Sequence, residues 1–197
     1  MRSMIKNVVA GMVVSGAWGV GVAAAQEKGV ELNGFAGVYA PTDDQGLQGT
    51  KTALRKGSLA FGGRLTYWTG KTVGVEFTGG FTPARLSVAS SAGTFPRSTH
   101  VTFGSAKLLF NLTPGSKLLG VAIGGGVAGL HSGKSVVDAT KSKTDVGGVG
   151  GLAVRIHLGE NVALRGDFED YVYNGNFGKG SKFTQDLVVS GGLSIKF

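Results

Sequence analysis

Residues Asp186 to Phe197 read Asp-Leu-Val-Val-Ser-Gly-Gly-Leu-Ser-Ile-Lys-Phe. A strand's side chains alternate between two faces, so Leu187, Val189, Gly191, Leu193, Ile195 and Phe197 share one side, while Ser190, Gly192, Ser194 and Lys196 share the other. The second face is too small and too sparsely charged for a solvated exterior. It suits the crowded inside of a narrow barrel, which turns the apolar face outward toward lipid.

Upstream, seven more segments alternate in the same way: Glu31 to Ala40, Ser58 to Trp68, Thr72 to Thr82, Val101 to Leu112, Lys117 to Leu130, Thr144 to Leu158 and Asn161 to Tyr173. Each is long enough to cross a bilayer as a tilted strand. Short connections (Thr69 to Lys71, Thr113 to Ser116, Gly159 to Glu160) take turns with long ones (Pro41 to Gly57, Pro83 to His100, His131 to Lys143, Asn174 to Phe183). All four prolines are expected in connections. The pattern predicts an all-β fold, an eight-stranded antiparallel up-and-down transmembrane β-barrel with short turns at the periplasmic end and long loops outside. Tyr67, Trp68, Phe110 and Phe197 are expected to ring the periplasmic rim, and Tyr39, Phe81, Phe168, Tyr171 and Tyr173 the outer one.

Composition agrees with one such domain. Only 16% of residues are charged, and the 36 glycines follow no Gly-X-Y period, which excludes collagen. The absence of cysteine excludes disulfides and thiolate metal sites. Arg2 and Lys6 precede an apolar run from Val8 to Val22 that ends at Ala23-Ala24-Ala25, so residues 1–25 read as a cleaved signal peptide and 26–197 as the barrel domain.

With leader, alternating strands and the terminal Leu193-Ser194-Ile195-Lys196-Phe197, the chain resembles the small OmpA-like outer-membrane β-barrel proteins, the porin-like family of such barrel domains. The resemblance implies location in the bacterial outer membrane, contact with its lipid and lipopolysaccharide, and recognition of Leu193, Ile195 and Phe197 by the barrel-assembly machinery. The peptidoglycan-binding domain that some members carry after the eighth strand is not expected here.

With apolar residues outward, the lumen phase carries Arg64, Glu76, Lys107, Arg155, Arg165, Asp167 and Glu169. Pairing Tyr67 with Val73 sets Arg64 opposite Glu76. Pairing Leu158 with Val162 sets Arg155 opposite Arg165, a repulsion that Asp167 or a carboxylate from across the lumen must relieve. An eight-stranded barrel holds little beyond its own side chains, so these charges predict a salt-bridged plug. The inward glycines Gly120, Gly124, Gly126, Gly147 and Gly151 leave space for long side chains, and equally for the water of a narrow solute channel, which is the alternative.

Removing the leader leaves 18 basic and 12 acidic residues, and the excess sits in the long loops at Lys51, Arg55, Lys56, Arg85, Arg97, Lys134, Lys141, Lys143, Lys179 and Lys182. Such loops suit lipopolysaccharide phosphates or another surface polyanion, an adhesive or structural role rather than catalysis or nucleic-acid binding. Other motifs lack their context. Ala128 to Ser135 fits a loose phosphate-loop pattern and Gly124 to Gly129 a dinucleotide fingerprint, but no amphipathic helix follows either. Asn111-Leu112-Thr113, a glycosylation acceptor by spacing, falls at a periplasmic turn. His157 is expected inward near the periplasmic end, packed beside Arg155 or solvated, and His100 and His131 as near-diagonal neighbours at the outer rim. No carboxylate accompanies them at fixed spacing, so neither a metal nor another cofactor is expected. Ser98, His100, His131, Ser132 and Asp138 show no ordered nucleophile, base and orienter for a lipid A-modifying enzyme.

Overall fold

The computed structural model describes residues 29–42, 45–47, 51–55, 58–90, 93–133, 143–176 and 181–197. Ten strands run in chain order: β1 (Gly29–Pro41), β2 (Gln45–Leu47), β3 (Lys51–Arg55), β4 (Ser58–Trp68), β5 (Val73–Ser90), β6 (Gly93–Asn111), β7 (Leu119–Ser132), β8 (Lys143–His157), β9 (Val162–Asn176) and β10 (Ser181–Lys196). Eight of them close a ring. β4 through β10 form an antiparallel meander, β5 pairs with β6, and β1 fills the gap between β4 and β10. Closure leaves no open sheet edge around the ring, a condition for crossing hydrocarbon with strands. No helix among the described residues is long and apolar enough to span a membrane.

The burial pattern is inside-out relative to a soluble barrel. Leu59, Phe77, Leu108, Val127, Val189 and Leu193 are more than half exposed on the outer surface, whereas Glu76, Glu169, Thr66 and Asp186 are completely or almost completely buried within. An apolar belt of this extent far exceeds the patches a soluble monomer exposes, so it belongs in lipid.

The inner half of the lumen's apolar filling, at the periplasmic end, is Trp68, Leu109, Ala122 and Ala153. The outer half is a larger cluster built on Phe35, Tyr39, Phe103, Tyr171 and Tyr173. Tyr39 stacks on Phe103 at 6.3 Å and Tyr171 meets the same ring edge-on at 5.5 Å. Inward glycines make these rings fit. A Cβ on Gly74 would lie 2.8 Å from the Trp68 ring, and one on Gly80 would collide with Phe103. The expected aromatic girdles are therefore corrected. Trp68, Tyr39, Tyr171 and Tyr173 lie in the lumen phase and are buried, while Tyr67, Phe110, Phe197, Phe81 and Phe168 remain exposed on the outside.

Beyond the outer rim the connections are more regular than expected. β5 and β6 continue as one hairpin from Phe81 to Ser90 and from Gly93 to Thr102, and β3 joins this extension by pairing Arg55 with Leu86 and Ala53 with Val88. The chain between Pro83 and His100 is thus mostly strand rather than loop. Pro83 and Pro96 consequently lie within strands, a second correction. Both sit where their strand has a single partner: β4 stops at Phe81 and β3 starts at Leu86 on one side of β5, and β7 pairs with β6 only from Val101 onward. A missing N–H costs no ladder bond there.

Candidate functional site

The lumen belt is assembled from alternate residues on six strands. β4 supplies Arg64, β5 Glu76, β6 Lys107, β8 Arg155, and β9 the run Arg165, Asp167 and Glu169; β1 adds Glu31, which is absent from the expected set. Glu31 shares its face with Asn33 and Phe35, opposite the lipid-facing Leu32, so the alternation alone could have found it.

All seven expected lumen charges do point inward and are buried. The first-turn register differs, however. Tyr67 pairs with Val75 rather than Val73, because Thr69 and Val73 close the turn and Gly70, Lys71 and Thr72 form its tip. Glu76 therefore stands opposite Thr66, whose hydroxyl donates to Oε2 at 2.6 Å, and Arg64 lies 4.0 Å away on the diagonal. On its other side Glu76 is paired directly with Lys107, at 2.9 Å. The third-turn register is as expected, with Arg155 opposite Arg165.

The belt's contacts cross the lumen. β5 and β9 are four positions apart in the ring of eight, diametrically opposed, and Arg165 Nη2 of β9 meets Glu76 Oε2 of β5 at 2.7 Å. Arg64 reaches from β4 to Glu169 at 2.9 Å and to Asp167 at 3.3 Å, donates to Asn33 Oδ1 and Ser190 Oγ, and lies over the Phe35 ring. Lys107 bridges Glu76 and Glu169. The Arg155–Arg165 repulsion is relieved in both expected ways. Asp167 holds Arg165 from two residues along the same strand at 2.7 Å, and Glu31 bridges the pair from across the lumen, 3.1 Å from Arg155 and 3.5 Å from Arg165. Four cations and four carboxylates thus cancel within one layer, the arrangement that makes buried charge tolerable. Above it, Asp186 accepts hydrogen bonds from the Tyr39 and Tyr173 hydroxyls, another buried carboxylate absent from the expected set.

Gly126 and Gly151 face the belt as expected. A Cβ on Gly126 would collide with the Ala106 carbonyl oxygen and the Lys107 backbone, and one on Gly151 would lie 2.7 Å from the Phe168 carbonyl oxygen and 3.3 Å from the Glu169 side chain. Beneath the belt, at the periplasmic mouth, a cavity of about 180 Å³ is lined by Glu31, Trp68, Gly120, Arg155 and His157 among others. His157 is therefore inward near Arg155, as expected.

At the outer rim the register sets His131 opposite Thr102, diagonal to His100. His100 stacks on Phe81 and His131 hydrogen-bonds Thr144, and no cluster of three metal-ligating groups occurs among the described residues. Gly124 to Gly129 lie inside β7 and open no helix. Of the basic outer residues, Lys51, Arg55, Arg85, Arg97, Lys143 and Lys182 fall on strands described here by backbone register, while Lys56, Lys134, Lys141 and Lys179 lie outside the described residues, as do the leader and Asp138. Leu193, Ile195 and Phe197 line the lipid-facing side of the last strand and its end.

No protein-family model and no curated protein sequence matches the chain. Solved structures do resemble it. Outer membrane protein OprG from Pseudomonas aeruginosa superposes with a TM-score of 0.67 at 15% identity, covering 88% of this chain and 98% of that one. The N-terminal β-barrel domain of Pseudomonas aeruginosa OprF gives 0.57 at 12% identity, over 88% and 100%. Ail, the attachment invasion locus protein of Yersinia pestis, in complex with the heparin analogue sucrose octasulfate, gives 0.52 at 14% identity, again over 88% and 100%. At such identities the likeness is one of fold.

Proposed function

Because the chain has the fold of the small eight-stranded outer-membrane β-barrels, we propose that it is a non-enzymatic surface protein of a Gram-negative envelope, sealed through its lumen and working through its basic outer face. The observation that carries the sealed reading is the diametric contact of Glu76 with Arg165, at 2.7 Å, inside a neutral lattice and beneath the aromatic cluster of Phe35, Tyr39, Phe103 and Tyr171. A solute would have to displace both layers. The outer face is supported by the basic residues concentrated beyond the rim and by the β2, β3, β5 and β6 extension, which carries Lys51, Arg55, Arg85 and Arg97. That Ail, a barrel of the same fold, was crystallised with a heparin analogue supports a sulfated or phosphorylated polyanion as the partner class.

In this reading the protein stands among lipopolysaccharide, enters the membrane after its leader is cleaved, and is inserted through recognition of Leu193, Ile195 and Phe197 by the assembly machinery. The test is binding of the refolded full chain to immobilised heparin. Retention that falls steeply between low and physiological salt, and that is lost when Lys51, Arg55, Arg85 and Arg97 are changed together to serine, supports the reading. Retention unaffected by those changes overturns it.

A further inference from the structure

Asp170 interrupts the lipid-facing surface of β9. It pairs with Leu187 of β10 and Gly150 of β8, and it shares the outward phase of Leu164 and Phe168, both close to half exposed. Apolar surface continues past it toward the outside, through Val146 and Phe183, each 74% exposed. Asp170 lies eight residues beyond Val162, where β9 begins. At about 3.3 Å per residue and a tilt of about 40°, that places it about 20 Å up an apolar belt about 25 Å tall. It sits just inside the outer border of the hydrocarbon, where an ionisable group is costly and marks a site with a partner.

Its neighbour is Gln185, which pairs with Val172 and is likewise outward; Gln185 Nε2 donates to Asp170 Oδ2 at 3.3 Å. Both residues are part-exposed, and of their side-chain polar atoms only Asp170 Oδ1 is buried without a hydrogen bond. Oδ1 is shut against the barrel wall, so the polar surface of the pair is Asp170 Oδ2 and the Gln185 amide. Gln185 Oε1 takes no hydrogen bond from any described residue. On the other flank of Asp170 the surface is bare. Gly150 stands beside it and Gly125 beside Gly150, and a Cβ on Gly150 would find nothing within 4 Å. The two glycines leave a notch, two strands wide, against the carboxyl group.

We propose that Asp170 and Gln185, with the notch at Gly125 and Gly150, form a docking site for an outer-leaflet lipid that carries N–H or O–H donors where its acyl chains begin. An N-acylated amino sugar with hydroxyacyl chains has both kinds of donor at that depth. A diacylglycerol phospholipid has only ester oxygens there and offers the pair no hydrogen. Asp170 Oδ2 and Gln185 Oε1 accept the donors, and an acyl chain lies along the notch. The inference rests on the outer-membrane reading, and it is independent of what the basic outer face binds.

Sphingomyelin and phosphatidylcholine isolate this chemistry, because both carry phosphocholine and only sphingomyelin has an amide N–H and a hydroxyl where its chains begin. The chain has two tryptophans, and replacing Trp18 by phenylalanine leaves Trp68, whose emission reports folding. The full-length Trp18→Phe protein, refolded in detergent, is mixed with equal amounts of the two lipids, and the lipids it retains are counted by native mass spectrometry. The expected result is about fivefold more sphingomyelin than phosphatidylcholine, the net worth of one hydrogen bond. Asp170→Leu with Gln185→Leu changes two lipid-facing side chains, breaks no lumen contact and should retain both lipids equally. Equal retention by the parent, or the same preference in the double variant, would overturn the proposal. Lipid A retained over phosphatidylcholine with no preference for sphingomyelin would overturn it as well, and would assign the contact to lipid phosphates on the basic outer face. A dimer that the double variant dissolves would overturn it by giving the pair a second copy of the chain as its partner.

Discussion

Replacing Glu76 by glutamine keeps the volume of the side chain and removes one negative charge from the centre of the belt. Glu76 faces Lys107 at 2.9 Å, Arg165 at 2.7 Å and Arg64 at 4.0 Å, all with side chains at most 3% exposed. The amide presents one acceptor where the carboxylate presented two, and its NH₂ group must point a donor at a cation. Breaking a buried ion pair by removing one partner costs about 3–5 kcal/mol, a large share of the roughly 5–15 kcal/mol that separates folded from unfolded states in typical domains. The expected loss for Glu76→Gln is therefore about 3 kcal/mol or more, measured by urea unfolding of the Trp18→Phe protein in lipid vesicles with Trp68 emission as probe. Glu160→Gln, on an exposed turn, is the control and should stay within about 0.5 kcal/mol of the parent. Adding Lys107→Met to Glu76→Gln removes a cation as well and restores the count, so the double variant should lose less than the sum of the singles by about 0.5–3 kcal/mol. A loss below about 1 kcal/mol for Glu76→Gln, at unchanged denaturant slope, would refute the reasoning that the belt is a dry lattice and indicate charges bathed in water.

Other consequences can be checked with the same unfolding assay. Gly80→Ala drives a methyl into the Phe103 ring and should cost about 1–3 kcal/mol, whereas Gly79→Ala, with nothing within 4 Å of its Cβ position, should cost much less. Leu152→Lys, on the lipid face between Ile123 and Phe168, should destabilise by about 2–4 kcal/mol, and Leu158→Lys at the periplasmic turn by no more than about 1 kcal/mol. Phe197→Ala removes a ring that is 72% exposed to lipid, so the refolded protein should keep most of its stability. In cells the same change should lower the amount of folded barrel in the membrane fraction, read by electrophoresis of unheated samples. An undiminished amount would count against recognition of the terminal strand.

The sequence made the eight crossing strands legible because alternation survives in each of them, and it placed every expected lumen charge on the correct face. What it placed wrongly shows how the signal is divided. Trp68, Tyr39, Tyr171 and Tyr173 stand at girdle height along the barrel but share the phase of Arg64, Phe35 and Glu169; phase outweighs height because a strand's facing is fixed by its two-residue period. Register is weaker information. A turn centred on Lys71 rather than Gly70 moves every partner of β4 by two residues, and two neighbouring glycine-bearing tips look alike in sequence. The β5–β6 extension falls in the expected long connection from Pro83 to His100, which carries Pro83 and Pro96. Prolines are compatible with strands that have one open side, and which sides are open is a property of the folded ring. Alternation turns Glu31 inward, but its bridging of Arg155 and Arg165 depends on contacts across the lumen, between strands two and three places apart, and no local pattern reports such distances.

The sealed lumen is tested most directly by single-channel conductance of the refolded protein in a planar bilayer, with the Glu76→Ala variant measured alongside. The diametric Glu76–Arg165 contact and the aromatic layer above it predict no steps from the native protein, and openings in the variant, where the belt has lost its central carboxylate. Stable, reproducible steps from the native protein would contradict the account and make the glycine-lined lumen a channel.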